Sequence, residues 1–390
     1  MDAITELLTR GVDTIYPDKV ELEKVLREGQ KLRVYQGFDP TSPQFHIGHM
    51  VGLRKLSQWQ NLGHEVIFLI GDFTAMTGDP TGKDKTRIPL TREQVLENAK
   101  TYKEQASKIL NFSGKNPTVI KYNSDWLAKM SVLEFANLAY HLSLNQIIKR
   151  DMFQKRIANN MDISMTEIFY PLMQGYDSVA MNVDVEVGGS DQMFNMMTGR
   201  DLMHKIKRKN KFVMTTPLLT DSQGVKIGKT EGNSIALTDK PEDLFGKIMT
   251  LPDDVMQKGF EYLTDVPMDE INSMNNDFMK NKKRLAYEIV KQLNNESAAK
   301  EAERYFEKTV QKKEIPSDIK EFSWSTGKSL VDFLTESKLA TSKTDAKRLI
   351  EQGGVAIDEE IITDSNAPFS GTDDSIVRVG KRKFIRVSIK

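Results

Sequence analysis

The sequence predicts an α/β fold in three parts: a parallel sheet packed with helices, then a helical region, then a small α+β domain. Short apolar runs alternate with helix-length periodic segments up to about residue 235, a pattern typical of β-α-β units. Segment 241–312 is charged, helical in pattern and nearly without strand signals. Residues 326–390 change from helical to strand patterns.

Length and composition limit the class of protein. A chain of 390 residues is too long for one ordinary domain, and its 39% hydrophobic residues can bury a sizeable core. The 55 basic and 55 acidic residues balance, so a nucleic acid would have to bind local basic patches. Cysteine is absent, which excludes disulfides and favours a reducing, cytoplasmic location. No segment looks like a signal peptide or a membrane span, so we expect no membrane partner.

The first β-α-β unit is predicted between residues 32 and 72. The runs "LRVYQGF" (32–38) and "EVIFLIGD" (65–72) are typical of buried strands. Between them, apolar residues at three- and four-residue spacing predict a helix that begins after residues 41–43 and ends near Gly63.

Later segments extend this pattern. We predict helices over 92–112, 131–150 and 192–207, and a further strand at "VDVEVGG", residues 183–189. Strands alternating with helices form a parallel sheet, and its ligand site lies at the carboxyl ends of the strands. The predicted domains are residues 1–235, a helical domain over 236–320, and an α+β domain over 326–390.

Two of the five histidines, His46 and His49, stand three residues apart in "HIGH". In the first turn of the predicted helix they would share a face beside backbone N–H groups that attract phosphate. Gly48 costs about 1 kcal/mol there relative to alanine, which close approach of a ligand would explain. The alternative is that both histidines only cap the helix. A zinc site is disfavoured because no third ligand is nearby.

A second candidate segment is "KIGKT", residues 226–230. Lys226, Lys229 and Thr230 form a glycine-hinged group of two ammoniums and a hydroxyl, suited to following a triphosphate as it reacts. Taken alone, the segment is a weak signal and is more simply an exposed turn.

Further polar side chains collect on one helix and at the predicted strand ends. Tyr170, Gln174 and Asp177 stand at i, i+4 and i+7 on an otherwise apolar helix. The residues near strand ends are Tyr35, Asp39, Asp79, Lys83, Arg87, Gly189, Asp191 and Gln192. Any single carboxylate is more simply a cap or a turn, but their convergence on neighbouring strand ends predicts a binding site.

The two motifs together resemble the class I aminoacyl-tRNA synthetases. "HIGH" stands at 46–49, and "KIGKT" replaces the family's usual KMSKS while keeping both lysines and a hydroxyl. The stretches "YQGFDPT", "GDPTGKDKTR", "FYPLMQGYDSVA" and "VGGSDQ" follow in an order similar to that of bacterial tyrosyl-tRNA synthetases. The resemblance implies a Rossmann-like catalytic domain that joins L-tyrosine to tRNA(Tyr), using ATP with Mg²⁺ and no protein-bound metal.

The resemblance also implies a role for each matched residue. Tyr35 and Asp177 would hold the substrate phenol; Asp79, Tyr170 and Gln174 would hold its α-ammonium; Asp39 and Gln192 would line the pocket. Thr41, His46, Gly48 and His49 would face ATP, and Gly189 and Asp191 its ribose. Lys83, Arg87, Lys226, Lys229 and Thr230 would close over the pyrophosphate.

The tail stretch "SKTDAKRLIEQGGVAIDEEII", residues 342–362, resembles an S4-type RNA-binding module. Its Lys343, Lys347 and Arg348 would share one face of a helix, and a solvated charged helix is the alternative. The family resemblance also implies a homodimer formed through an insertion around residues 125–160, although the sequence itself indicates no interface.

Three other functions compete with this interpretation. A tryptophan-specific relative is disfavoured by the pairing of Tyr35 with Asp177. An RNA-binding paralogue without catalysis is disfavoured because every matched position is intact. A nucleotidyltransferase that uses HxGH without tRNA is disfavoured by the helical and S4-like segments.

Overall fold

The structure is a computed structural model that describes residues 2–81, 89–227, 234–275, 277–311, 319–324, 327–380 and 383–389. The chain forms two compact units, one of Met1–Asp239 with Lys247–Asn295 and one of Lys240–Gly246 with Glu296–Lys390. The predicted fold class is confirmed: a parallel-sheet region precedes many helices and a C-terminal sheet. The division into three domains at 235 and at 320–326 stays a prediction.

A six-stranded sheet lies at the centre of the first unit. Its strands are β1 (Thr14–Tyr16), β2 (Arg33–Phe38), β3 (Glu65–Ile70), β4 (Val119–Tyr122), β5 (Val185–Gly189) and β6 (Phe212–Thr216). They are ordered β1-β6-β5-β2-β3-β4. Neighbours from β6 to β4 are parallel, and the edge pair β1 and β6 is antiparallel.

The predicted strands 32–38, 65–72 and 183–189 correspond to β2, β3 and β5. The other three strands of this sheet were not predicted from the sequence. β1 has three residues and β4 has four, and the side chains of both are half-buried or exposed, so no apolar run marks them. β6 is buried throughout, but its short "FVMTT" run ends in two threonines and carries no alternation.

Helices pack around this sheet. The first twelve are α1 (Ala3–Leu7), α2 (Lys19–Arg27), α3 (Ile47–Asn61), α4 (Thr74–Thr77), α5 (Arg92–Ala99), α6 (Tyr102–Ala106), α7 (Ser124–Leu127), α8 (Val132–Ala139), α9 (Leu144–Ile148), α10 (Asp151–Ala158), α11 (Met165–Met181) and α12 (Met193–Leu202). A 3₁₀ turn (Ser190–Gln192) precedes α12 and a π turn (Met203–Lys207) follows it. The predicted helices 92–112 and 131–150 are therefore each divided in two.

Helix α3 anchors the first unit. It packs against β2, β3, β5 and β6 and completely buries Leu53, Leu56 and Trp59. Burying such an apolar side chain contributes roughly 1.5 to 3 kcal/mol. The helix begins at Ile47, with His46 as its N-cap, and not after residues 41–43 as predicted.

The order of the strands creates a crevice. From β2 the chain adds β3 and β4 on one side, whereas β5 and β6 lie on the other side. Ligands of open parallel sheets bind at such a switch point, beyond the carboxyl ends of the strands. In this sheet those ends are Phe38 of β2 and Gly189 of β5.

The region predicted to be helical contains α13 (Pro241–Ile248), a 3₁₀ turn (Asp253–Val255), α14 (Met256–Leu263), α15 (Met268–Asn272), α16 (Phe278–Leu293), α17 (Glu296–Phe306) and a π turn (Glu307–Gln311). Helices α14 to α16 belong to the first unit, and α17 belongs to the second. In the described part of the chain, no helix is long and apolar enough to span a bilayer.

The second unit ends in a five-stranded sheet with two helices. Its elements are β7 (Lys320–Trp324), α18 (Leu330–Glu336), α19 (Lys343–Glu351), β8 (Val355–Ile357), β9 (Glu360–Ile362), β10 (Ile376–Val379) and β11 (Lys383–Ile389), and the strand order is β7-β11-β10-β8-β9. Trp324, Phe333 and Val377 lie in its core. Gly353, at φ +67°, lets the chain leave α19 and enter β8.

Candidate functional site

A cavity of about 400 Å³ opens at the switch point between β2 and β5. Every residue predicted for the substrate and ATP sites that the structure describes lines it: Tyr35, Asp39, Thr41, His46, Gly48, His49, Asp79, Tyr170, Gln174, Asp177, Gly189, Asp191, Gln192 and Lys226. They come from β2, the start of α3, the segment after β3, helix α11, the end of β5 and the KIGKT segment. Their convergence follows from the parallel sheet, because its strand ends meet at one edge.

The two histidines form the N-terminal cap of α3. Nδ1 of His46 accepts from the backbone N–H of Gly48 at 3.1 Å, and Nδ1 of His49 accepts from that of His46 at 3.1 Å. A nitrogen that accepts carries no proton, so each neutral ring carries its proton on Nε2. Capping and ligand binding are therefore compatible, because the cap uses one nitrogen and makes the other a donor.

Gly48 has a structural reason that the sequence analysis did not foresee. A Cβ at this position would lie 2.9 Å from Cε1 and 3.0 Å from Nδ1 of His46. An alanine would therefore collide with the capping imidazole. Gly48 also lines the cavity, so close approach of a ligand remains compatible with its position.

Tyr35 and Asp177 line the cavity and are buried, at 1% and 2% exposed. The Tyr35 hydroxyl lies 2.9 Å from Ser178 Oγ. Asp177 accepts from Trp126 Nε1 at 2.8 Å and from Asn123 Nδ2 at 3.3 Å. Burial raises the pKa of the Asp177 carboxyl well above its usual range, and these two donors offset only part of that effect. Burial likewise raises the pKa of Tyr35, which keeps its hydroxyl protonated.

A second group of polar residues lines the same cavity. Tyr170 donates to Asp39 Oδ2 at 2.8 Å, and Gln192 Nε2 donates to Asp79 Oδ2 at 2.8 Å. Burial, followed by the charge of Asp39, raises the pKa of Tyr170, so it remains a donor. Gln174 Oε1 is buried and has no hydrogen-bond partner within the described residues.

Lys226 lines the cavity from its exposed side, where its ammonium lies 2.7 Å from Asp191 Oδ2. The other predicted pyrophosphate residues, Lys83, Arg87, Lys229 and Thr230, lie outside the described residues. Among the residues that the structure does describe, no group of three or more His, Cys, Asp or Glu could hold a metal ion.

Several lining residues were missed. Gln36 follows Tyr35 on β2, and its Oε1 is buried without a partner in the described ranges. Its place within "YQGFDPT" could have indicated it, because it is a polar residue two positions before the strand ends at Phe38. Glu186 is buried on β5 and also lines the cavity. An acidic residue inside an otherwise apolar strand is unusual, and this could have indicated a role for Glu186 at the site.

The predicted RNA-binding residues lie in the second unit. Lys343, Lys347 and Arg348 are exposed on α19, as the helical spacing predicted. Lys343 pairs with Asp332 at 2.8 Å, and Arg348 pairs with Asp345 at 2.6 Å. Exposed ion pairs of this kind contribute about 0 to 1 kcal/mol, so an incoming phosphate can displace them.

Known proteins resemble the chain over nearly its whole length. A family model described as "tRNA synthetases class I (W and Y)" matches residues 27–311, and one for a "Tyrosine–tRNA ligase SYY-like C-terminal domain" matches 310–387. The tyrosine–tRNA ligase of Thermotoga maritima is 42% identical over 98% of this chain and 96% of the relative. That of Aquifex aeolicus is 43% identical over 95% of each chain.

Solved structures agree with these sequence matches. A C-terminally truncated mitochondrial tyrosyl-tRNA synthetase from Aspergillus nidulans is 25% identical and has a TM-score of 0.65. The match covers 77% of this chain and 92% of that chain. The corresponding protein of Coccidioides posadasii has a TM-score of 0.64 at the same identity.

Proposed function

Because the chain belongs to the class I tRNA synthetase family (W and Y), we propose that it is a tyrosine–tRNA ligase. The choice of tyrosine rests on the buried pair of Tyr35 and Asp177, which both line the cavity. A phenol donates its hydrogen to a carboxylate and accepts one from a hydroxyl. An indole N–H only donates, so tryptophan could donate to Asp177 but could not accept a hydrogen from Tyr35.

The amino end of tyrosine would bind beside Asp79, Tyr170 and Gln174. The α-ammonium supplies the donor that Gln174 Oε1 lacks within the described residues, and Asp79 supplies a negative charge. A hydrogen bond to a charged group contributes about 1.5 to 3 kcal/mol. Asp39 and Gln192 keep this group in place through their bonds to Tyr170 and Asp79.

ATP would bind along the start of α3. Thr41, Gly48 and the two histidines would face its phosphates, and the imidazole Nε2–H groups would act as donors to the phosphate oxygens. The N-terminus of the helix adds its positive dipole end. Gly189 and Asp191, at the end of β5, would contact the ribose.

The first reaction needs no protein nucleophile. The tyrosine carboxylate is ionised at neutral pH and attacks the α-phosphate of ATP, which enters with Mg²⁺, so that pyrophosphate leaves. His46 and His49 would stabilise the charge that develops on the phosphate oxygens. Lys226, together with Lys83, Arg87, Lys229 and Thr230, would hold the departing pyrophosphate.

The ion pair between Lys226 and Asp191 fits this sequence of events. Lys226 is half exposed, so separating the pair costs about 1 kcal/mol or less. Binding of the ribose to Asp191 would release the Lys226 ammonium to the phosphates. The same two side chains thus exchange a weak mutual contact for contacts with the substrate.

The second reaction transfers the tyrosyl group to the 3′-terminal ribose of tRNA(Tyr). Lys343, Lys347 and Arg348 are exposed on α19 and would contact the phosphate backbone of the tRNA. A protein of zero net charge has to concentrate its positive side chains on such a surface.

A homodimer in the cytoplasm completes the proposal. In the insertion around residues 125–160, Val132, Leu133 and Tyr140 are 88%, 71% and 89% exposed. Large apolar side chains that are this exposed and close together are typical of a protein interface. The absence of cysteine fits a reducing compartment.

Tyrosine-dependent ATP–pyrophosphate exchange tests the proposed function. The full chain with ATP, Mg²⁺ and labelled pyrophosphate should catalyse exchange with tyrosine and not with tryptophan. Exchange with tryptophan instead would assign the chain to the other branch of its family. No exchange with either amino acid, in a protein that still binds tRNA, would indicate an RNA-binding paralogue without catalysis. Charging of tRNA(Tyr) then tests the second reaction.

A further inference from the structure

A buried ion pair lies next to Tyr35. The Lys211 ammonium contacts Glu186 Oε2, Ser178 Oγ at 2.8 Å and the carbonyl oxygen of Met196 at 3.2 Å. Lys211 and Ser178 are 0% exposed and Glu186 is 2% exposed. Ser178 Oγ in turn lies 2.9 Å from the Tyr35 hydroxyl, so one hydroxyl separates the ion pair from the proposed phenol site.

The surrounding backbone makes room for this group. A Cβ on Gly199 of α12 would lie 2.7 Å from Lys211 Nζ and 2.9 Å from Ser178 Oγ. A second pair, Lys209 with Asp184, stands two residues earlier in the chain than the buried pair, just before β6 and β5, and its side chains are 31% and 26% exposed. Burial of a charge pair gives no dependable gain in stability, because desolvation offsets the attraction. The buried pair beside the cavity therefore calls for a role other than stability.

The hydrogen-bonding capacity of each group fixes the direction of the bonds. An ammonium donates three hydrogens and accepts none, and Lys211 has three acceptors. Lys211 therefore donates to Ser178 Oγ, and the hydroxyl hydrogen of Ser178 must go elsewhere. Its two possible acceptors are Tyr35 Oη at 2.9 Å and Glu186 Oε2 at 3.3 Å. Bonds between hydroxyl and oxygen are usually about 2.5 to 3.0 Å long, which favours Tyr35.

Resting on the proposed function, we propose that Lys211, Glu186 and Ser178 are positioning residues that orient the Tyr35 hydroxyl as a donor to the substrate phenol. Lys211 donates to Ser178, and Ser178 donates to Tyr35. The hydrogen of Tyr35 is then directed to the phenol oxygen, while the phenol hydrogen goes to Asp177. All bonds run in one direction, so each polarises the next. Phenylalanine has no hydroxyl. With it bound, the Tyr35 hydrogen would have no acceptor and Asp177 would receive no hydrogen from the substrate, and both groups are buried.

Glu186 keeps the Lys211 amine protonated, so that Lys211 can only donate hydrogen bonds. Burial lowers the pKa of the Lys211 ammonium, and the neighbouring Glu186 carboxylate opposes this by raising it. A neutral amine could accept a hydrogen from Ser178, and the direction of the series would be lost. The carboxylate is thus needed beside the lysine even though it does not contact Tyr35 in the proposed series.

A double-mutant cycle of Ser178→Ala and Tyr35→Phe tests the inference. The readout is the ratio of kcat/KM for tyrosine to that for phenylalanine, measured by pyrophosphate exchange on the full chain. Ser178→Ala should lower this ratio by about 2- to 10-fold, the effect of one neutral hydrogen bond, while leaving phenylalanine unchanged. In the Tyr35→Phe background it should have no further effect, because Ser178 acts through Tyr35. The inference would be overturned if Ser178→Ala lowered kcat/KM equally for tyrosine and phenylalanine, and did so both in the wild type and in the Tyr35→Phe background.

Two further variants test the ion pair. Replacing Lys211 and Glu186 together with methionine keeps the volume and removes both charges, so the protein can fold. The ratio should fall as in Ser178→Ala, and a wild-type ratio in the folded double variant would overturn the role of the pair. If that variant does not fold, the cycle above decides. Lys209→Met, which removes the partly exposed pair with Asp184, is the matched control and should leave the ratio unchanged.

These outcomes separate the inference from the proposed function. If the unaltered chain shows no tyrosine-dependent exchange, the proposed function is wrong and the inference falls with it. If the unaltered chain is active but Ser178→Ala leaves the ratio unchanged, only the inference is wrong.

Discussion

Replacing Asp177 with asparagine tests the phenol site most directly, because it keeps the shape of the side chain and removes its charge. Asp177 is 2% exposed and receives hydrogen bonds from Trp126 Nε1 and Asn123 Nδ2. An amide can accept with its oxygen only, so its NH₂ group must face either a donor or the cavity. The acceptor that the phenol needs is lost or weakened in every orientation.

The expected loss of activity follows from the strength of one charged hydrogen bond. Such a bond contributes about 1.5 to 3 kcal/mol, and 1.4 kcal/mol corresponds to a factor of ten. Asp177→Asn should therefore lower kcat/KM for tyrosine by roughly 10- to 150-fold. The value for phenylalanine, which has no hydroxyl, should change little. Pyrophosphate exchange with both amino acids measures the difference.

The same substitution should raise the stability of the ligand-free protein. Burial raises the pKa of Asp177 well above its ordinary value of 3.8, so the folded state binds this proton more tightly than the unfolded state does. The free energy of unfolding therefore falls as pH rises from the ordinary value through the raised pKa. Asparagine does not ionise, so the variant avoids this loss of stability. At neutral pH its Tm should be higher than that of the wild type, and its Tm should change less with pH.

Thermal unfolding between about pH 4 and 8, followed by circular dichroism, checks the expected rise in stability of the variant. A variant with lower Tm than the wild type at pH 7 would refute the argument that the buried charge destabilises the empty site. Tyrosine activation within twofold of wild type would refute the assignment of Asp177 to the phenol. Lost activity together with raised stability is the combination that a binding carboxylate predicts and a structural carboxylate does not.

Three further variants address other parts of the molecule. His46→Ala should lower kcat for adenylate formation on the order of 100-fold, with a much smaller change in the KM for ATP. An unchanged kcat would exclude a role for His46 in stabilising the transition state. Lys347→Glu combined with Arg348→Glu should raise the KM for tRNA several-fold and leave pyrophosphate exchange intact, whereas equal loss of both would indicate a structural tail. Arg156→Met removes a buried salt bridge in which Arg156 donates two hydrogen bonds to Glu167, at 2.8 and 2.9 Å. The free energy of unfolding, measured in urea, should fall by about 3 to 5 kcal/mol. A fall of less than about 1 kcal/mol would show that the salt bridge is dispensable.

Local patterns in the sequence were sufficient to predict the frame of the site. β2, β3 and β5 are marked by apolar runs, and α3 by its three- and four-residue spacing. Once the strands are parallel, their carboxyl ends lie at one edge, so residues such as Asp39 and Asp191 converge without any knowledge of long-range contacts. The roles of the individual side chains stay predictions, because the cavity shows which residues meet and not what they bind.

The start of α3 shows why boundaries and caps are harder to predict. The residues before it, from Pro43 to Phe45, could equally have begun a helix, and only the extended backbone of His46, at φ −114° and ψ 170°, places the cap. The sequence analysis treated capping and phosphate binding as alternatives. The structure makes them two uses of one ring, since a cap through Nδ1 leaves the proton on Nε2.

The buried ion pair could not be predicted from the sequence for a different reason. Lys211 stands in the basic run "KIKRKNK", where any lysine looks like a solvated charge, and the strand pattern does not reveal its partner. The pairing depends on the register of two strands joined by α12, in which Glu186 lies opposite Val213. Lys209 and Asp184, which precede the two strands, form a partly exposed pair, whereas Lys211 and Glu186, two residues further along each segment, form a buried one. Only the pairing of the neighbouring segments determines which lysine reaches the interior, and a single stretch of sequence does not show that pairing.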